Sequence, residues 1–186
     1  MNLDGDFFQI VHSLVSKSGF LDGLAIFFAQ YLPYLLVLVF LALIFKRRFW
    51  KERFLIFAAA ALAVVFSRGL ITEVIRFFYY RPRPFEALKF SSLISESGGS
   101  FPSGHAAFFF ALSAAIFYFN KKWGYWFFVL TAVNGLARVF VGVHWLSDIL
   151  GGLIVGLVSF FAVRILLKNQ LSSIIKTHKL SEKHDG

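Results

Sequence analysis

Two histidines and one carboxylate occupy positions in this chain where an apolar sequence has little reason to keep them. His144 stands four residues before Asp148 in "VHWLSD". On a helix that spacing puts both side chains on one side. Asp148 can then hold one imidazole N–H, fix the tautomer and raise the ring's basicity, leaving the other nitrogen free to attack phosphorus. Alone, the pair also reads as a simple helix cap, but ionisable residues at a membrane segment favour a functional role. His105 follows Pro102-Ser103-Gly104 at the head of a hydrophobic run. Ser103 can cap a helix there, Gly104 admits backbone N–H groups close to an anion, and the helix dipole adds positive potential. His105 beside that anion could give or take a proton. Alone, this segment also reads as a capped helix whose histidine finds a carbonyl.

Arginines complete the set. "RFFYYRPRPF" carries Arg76, Arg81 and Arg83, and Arg138 lies near the end of a later apolar run. Planar, permanently charged guanidinium groups grip phosphate oxygens in pairs, which lysine does less well. The prolines at 82 and 84 are predicted to end a helix and keep the backbone extended. Alone, the cluster also fits an interfacial anchor.

The elements that must position these groups are apolar. Of 186 residues, 58% are hydrophobic and 26 are Phe, well above a soluble domain. The mean hydropathy is +0.71. Stretches of about 20 apolar residues predict five spans, at 23–45, 54–75, 105–119, 123–143 and 149–167. The third is short. Residues 7–15 are too few to cross and predict an interfacial or packing helix, without the features of a signal peptide. The expected fold is an all-α polytopic transmembrane bundle of about five spans plus a short N-terminal helix. Residues 1–168 would form one membrane-embedded domain, and residues 169–186 a basic tail with a disordered end. With no cysteine, neither disulfide nor thiol chemistry is open.

The formal charge of +9 does not point to nucleic acid, because the basic residues are placed as topology signals. Lys46, Arg47, Arg48, Lys51 and Arg53 lie between the first two spans, Lys121 and Lys122 between the third and fourth, and Lys168, Lys176, Lys179 and Lys183 after the fifth. The positive-inside rule makes all three segments cytoplasmic, with anionic lipid as a further contact. The segment 76–102 breaks that rule with Arg76, Arg81, Arg83 and Lys89 on the far side, which suggests a bound anion. The same topology brings the His105, His144–Asp148 and arginine clusters to one face. Arg68 and Glu73, inside the second span, are expected to pair with each other or with a neighbouring span. Trp123, Trp126 and Trp145 are expected as interfacial anchors, with Trp145 also able to shape the mouth of a site.

Arg76-x6-Arg83-Pro84, Pro102-Ser103-Gly104-His105 and Arg138-x5-His144-x3-Asp148 together resemble the three-part signature of the type 2 phosphatidic acid phosphatase and vanadium haloperoxidase superfamily. The resemblance covers roughly residues 54–167. It implies a metal-independent lipid phosphatase in which His144 is the nucleophile, Asp148 orients it and His105 is the general acid. Arg76, Arg83, Ser103, Gly104 and Arg138 would bind the phosphoryl oxygens. No metal and no cofactor is implied. Arg76 stands where lysine is usual, and Ala137 where serine is common. The small size, the N-terminal segment and "RPRPF" look like bacterial undecaprenyl-diphosphate phosphatases of the bacitracin-resistance type, although some members of that branch have Asp at the Gly104 position. That branch implies a phosphohistidine intermediate and an isoprenoid lipid diphosphate substrate, in the bacterial inner membrane with the site facing outward. Phosphatidylglycerophosphate or phosphatidate is the alternative substrate. A non-catalytic lipid-phosphate binder is the reading from another class, and it would need neither a second histidine nor the His144–Asp148 pair.

Overall fold

Of the chain, a computed structural model describes residues 3–172. Among the described residues the regular elements are all helical. Helix α1 (Leu3–His12) precedes two long helices, α2 (Gly19–Phe45) and α3 (Trp50–Phe78). A short α4 (Pro84–Leu88) follows, then α5 (Gly104–Phe119), α6 (Lys121–Phe140) and α7 (Leu146–Leu166). Most of the predicted tail, from residue 173 onward, lies outside the described residues.

Three helices, α2, α3 and α7, are long and apolar enough to cross a membrane. The apolar α5 is shorter, and α6 has 20 residues but carries Lys121, Lys122 and Arg138. The helices extend beyond the predicted spans at several ends. Helix α3 takes in Lys51, Glu52 and Arg53, which an apolar-run reading leaves out, because charges are compatible with the first turn of a helix outside the hydrocarbon. Helix α1 begins at Leu3, not Phe7, with Asp4 and Asp6 favourably placed in its first turn. Pro84 does not prolong an extended backbone. It opens α4 at a helix start, where its missing N–H costs nothing.

Helix α5 is the centre of the bundle. It packs against α7, α6 and α3, and most of its side chains are buried, including Phe109, Phe110 and Ile116. A helix apolar on every side belongs inside. Two glycines of α7 allow a close approach. A Cβ on Gly152 would sit 2.7 Å from the Ser103 carbonyl oxygen, and one on Gly156 would sit 2.7 Å from that of Ala107. This small-xxx-small seam brings the start of α5 against the start of α7. The amide of Ser103 donates to the Asp148 carbonyl at 2.9 Å, fixing the register. The outer faces of the long helices carry exposed Leu38, Phe77, Phe78, Ile154 and Ile165, as lipid-facing surfaces do.

One end of the bundle gathers the basic connections. Arg47 between α2 and α3 reaches the Phe119 carbonyl at the end of α5, and Arg53 donates to the Arg47 carbonyl. The predicted chemistry gathers at the other ends of these helices.

Candidate active site

The segment between α6 and α7 carries His144, which is 1% exposed. Its Nδ1 lies 3.3 Å from Asp148 Oδ2. With Nδ1–H donating to that carboxylate, Nε2 keeps its lone pair. Burial, then the charges of Arg138 and Arg83, pushes the His144 pKa well below its ordinary value, so the ring is neutral. Asp148 is itself held by the Trp145 amide (2.8 Å, to Oδ2) and by Arg81 Nη1 (2.8 Å, to Oδ1). Arg81 Nη2 donates onward to Asp4 at 2.7 Å. The same Asp4 accepts from the Ser147 amide and hydroxyl. Burial pushes the Asp4 carboxyl up, but hydrogen bonds from Ser147 and Arg81 outweigh it and leave the pKa below the usual value.

The predicted phosphate-binding residues are held differently. Arg83 is buried between three backbone carbonyls, of Gly98, Val143 and Ser97, at 2.9–3.0 Å. Arg76 Nη2 donates to the Pro102 carbonyl at 3.0 Å. Arg138 is 1% exposed, donates to the Ala29 carbonyl and pairs with Glu96. Both Arg76 and Arg138 keep a buried Nε with no hydrogen-bond partner. Such a donor is costly until an acceptor arrives. Ser103 caps α5 through its hydroxyl, which accepts from the Ala106 amide, and Gly104 and His105 form the first turn. The charges of Arg138, Glu96, Arg68 and Arg83 all act on His105.

Of these groups, Arg68, Glu96, Gly104, His105 and Arg138 line a cavity of about 400 Å³. One end is polar, with Arg68, Glu96, His105 and Arg138. The remainder is mainly apolar, with Pro33 and Val37 of α2 facing Phe108 and Phe109 of α5. Among the described residues, no group of three or more His, Asp or Glu side chains could hold a metal. Guanidinium groups and a helix N-terminus are what the site presents to negative charge.

Residues 57–171 match the profile of the PAP2 superfamily. The chain belongs to that superfamily. Undecaprenyl-diphosphatase BcrC of Bacillus subtilis is 28% identical over 179 residues, covering 94% of this chain and 91% of the relative. Phosphatidylglycerophosphatase B of the same organism is 31% identical over 147 residues, covering 73% and 68%. The crystal structure of Aquifex aeolicus LpxE superposes with a TM-score of 0.71 at 23% identity, covering 88% of this chain and 95% of that one. This PAP2 protein is therefore a membrane-embedded hydrolase.

Within the PAP2 frame, the segments that carry the predicted site residues lie against one another through Arg83 and Val143, Arg76 and Pro102, and Ser103 and Asp148, and other residues join them. Arg81 holds Asp148 from behind, and Asp4 and Ser147 hold Arg81. Glu96 pairs with both Arg138 and Arg83. Nothing local to Asp4 or Glu96 marks them, because their partners lie far away in sequence. Burial and the Arg138 charge act on Glu96 in opposite directions, and the arginines win, holding its carboxyl below the usual range. Trp145 is not an interfacial anchor. Its indole is buried, donates to the Pro82 carbonyl at 3.0 Å and packs edge-on against Phe8 of α1, since an N–H with a protein partner need not seek the lipid headgroups.

Proposed function

We propose that this PAP2 hydrolase removes the terminal phosphate of an isoprenoid lipid diphosphate, most specifically undecaprenyl diphosphate, through a phosphohistidine. The observation that carries the reading is the cavity, whose arginine- and histidine-lined end continues into an apolar wall between α2 and α5. A phosphate at one end and a hydrocarbon chain along the other match that division. The nearly full-length likeness to a protein named undecaprenyl-diphosphatase supports the substrate class. In the proposed arrangement α2, α3, α5, α6 and α7 all cross the bacterial inner membrane. The basic connections face the cytoplasm, so the site opens outward.

In the proposed reaction, Nε2 of His144 attacks the terminal phosphorus. The bond from phosphorus to the bridging oxygen breaks, and His105 delivers a proton to that oxygen as the lipid monophosphate leaves. His105 then takes a proton from water, whose oxygen attacks the phosphohistidine and releases inorganic phosphate and free His144. Arg76, Arg83, Arg138, the Ser103 hydroxyl and the α5 N-terminus spread the charge on the phosphoryl oxygens. Asp148 keeps Nδ1 protonated and Nε2 available. A second reading, a phosphatidylglycerophosphate phosphatase with the same chemistry, draws on the 31% identity to Phosphatidylglycerophosphatase B.

The test is phosphate release by the purified protein in detergent with EDTA, from undecaprenyl diphosphate, phosphatidylglycerophosphate and phosphatidate. The C55 diphosphate is the expected best substrate, and His144→Ala is expected to lose about a thousandfold or more in turnover. Preference for a glycerolipid overturns the substrate. Turnover that survives His144→Ala overturns the nucleophile.

A further inference from the structure

Arg68 lies two turns before Arg76 on α3, and the reaction described above does not use it. The helix widens at Val65–Ile71 into a π-type turn, with the Thr72 amide donating to the Ser67 carbonyl five residues back. Gly69 and the Ser67 hydroxyl, which bonds the Val64 carbonyl, sit within this turn. In an α-helix, residues five apart point to different sides, whereas an i→i+5 turn stacks them. That is the spacing of Arg68 and Glu73, which form an ion pair here. The same Glu73 oxygen lies 3.9 Å from Arg76 Nη1. The wide turn and Glu73 together hold Arg68 beside the arginine group of the site.

The side chain has a built place to lie. A Cβ on residue 104 would collide with the Arg68 guanidinium, so the glycine at the start of α5 makes room for it. Arg68 lines the cavity with Glu96, His105 and Arg138. Exposure orders the guanidiniums by depth. Side chains of Arg138 and Arg83 are 1% and 2% exposed, that of Arg76 is 15%, and that of Arg68 is 42%. A diphosphate entering phosphate first meets the deep arginines with the phosphoryl group to be transferred. Its second phosphate, which stays on the lipid, then reaches the level of Arg68.

We infer that Arg68, braced by Glu73 across the π-type turn, binds the retained phosphate of a diphosphate substrate and sets preference for diphosphate over monophosphate lipids. This rests on the diphosphate reading above and names the residue that selects for it. The guanidinium fork offers two N–H groups to one phosphate, and the carboxylate partner keeps the fork aimed while the site is empty.

The test compares kcat/KM for a short-chain prenyl diphosphate and the matching prenyl monophosphate, in the wild type, Arg68→Gln, Arg68→Lys and Glu73→Gln. In Arg68→Gln the diphosphate-to-monophosphate ratio is expected to fall by about tenfold or more, through a raised diphosphate KM. Arg68→Lys should recover part of the ratio, and Glu73→Gln should lower it less than Arg68→Gln does. Should Arg68→Gln turn over neither substrate, the lysine and Glu73 variants read the same ratio. A ratio within about twofold of wild type in all variants that turn over overturns the role of Arg68. So does a fall in kcat alone, equal on both substrates. A wild type that ignores the diphosphate overturns the substrate reading itself, and this assignment with it.

Discussion

The two halves of the candidate site are finished to different degrees. Around His144 the polar atoms are matched: Nδ1 with Asp148, Asp148 with Arg81 and the Trp145 amide, Arg81 with Asp4 and Ser147. Across the site the matching stops. Arg76 and Arg138 keep an unpartnered Nε, and Glu96 occupies two arginines whose proposed partner is a phosphate. The difference separates two tasks. A nucleophile gains from a ring whose tautomer and direction are set before the substrate arrives. An anion receptor must keep donors in reserve, because a donor already well paired has little to give in the transition state.

The largest expected effect comes from breaking the finished half. Asp148→Asn retains shape but removes the acceptor that fixes the His144 tautomer, and kcat is expected to fall by about a hundredfold or more. Phosphate release measures it, and a loss under about fivefold would show that the pair is only a helix cap. Asp4→Asn acts one step further out. It loosens Arg81 and should lower kcat by about tenfold with KM little changed. An increase in KM alone would detach α1 from the nucleophile.

On the unfinished half, Glu96→Gln removes a competitor for Arg138 and Arg83. Inorganic phosphate is then expected to inhibit several-fold more strongly, by about the strength of one charged hydrogen bond at most. Inhibition equal to wild type would mean that the arginines do not receive phosphate. The smallest effect sharpens the contrast through pH. The folded His144 pKa lies well below the ordinary 6.5, so the unfolded chain binds the proton first. Stability contributed by the neutral ring is present above 6.5 and declines as pH falls from 6.5 towards the folded pKa, by at most about 1.4 kcal/mol per unit. Thermal midpoints at pH 7 and pH 5 should therefore drop more in the wild type than in His144→Gln. An equal drop would place the acid sensitivity elsewhere.

What the sequence makes legible follows from range. His144 lies just before the helix that carries Asp148 in its first turn, not on it as the spacing predicts. The short separation still brings the pair together, and Ser103 caps the helix that it precedes, so residue type and spacing suffice. The long apolar helices are equally local. Their charged ends were hidden, since Lys51 to Arg53 look like a loop until a helix is known to start at Trp50. The π-type turn at Val65–Ile71 leaves no periodic signal over so few residues. Trp145 resembles any membrane-edge tryptophan until Pro82 and Phe8 are seen to cover it. Asp4 and Glu96 belong to the site only because the bundle folds them onto it, and no spacing rule reaches across such separations. Arg81 stood in a legible arginine cluster, but its partners Asp148 and Asp4 did not. Ala137 is nearly buried beside the site, and nothing around it shows what the usual serine would contact.

The bond between Asp4 and the Ser147 amide spans 143 residues of chain. During synthesis Asp4 emerges early and must wait for Arg81, then for Ser147 and Asp148, before its carboxylate has partners. The support of His144, the proposed nucleophile, is therefore among the last parts of the molecule to be completed. A nascent chain with α1 to α5 already inserted holds the arginines of α3 and the capped start of α5, yet lacks His144 altogether. The hydrogen-bonded support of His144 awaits both α7, which carries Asp148, and the return of the N-terminal helix, which carries Asp4. In the proposed reaction, biogenesis would thus order the site from receptor to nucleophile, and a partly inserted chain that lacks His144 would be chemically silent.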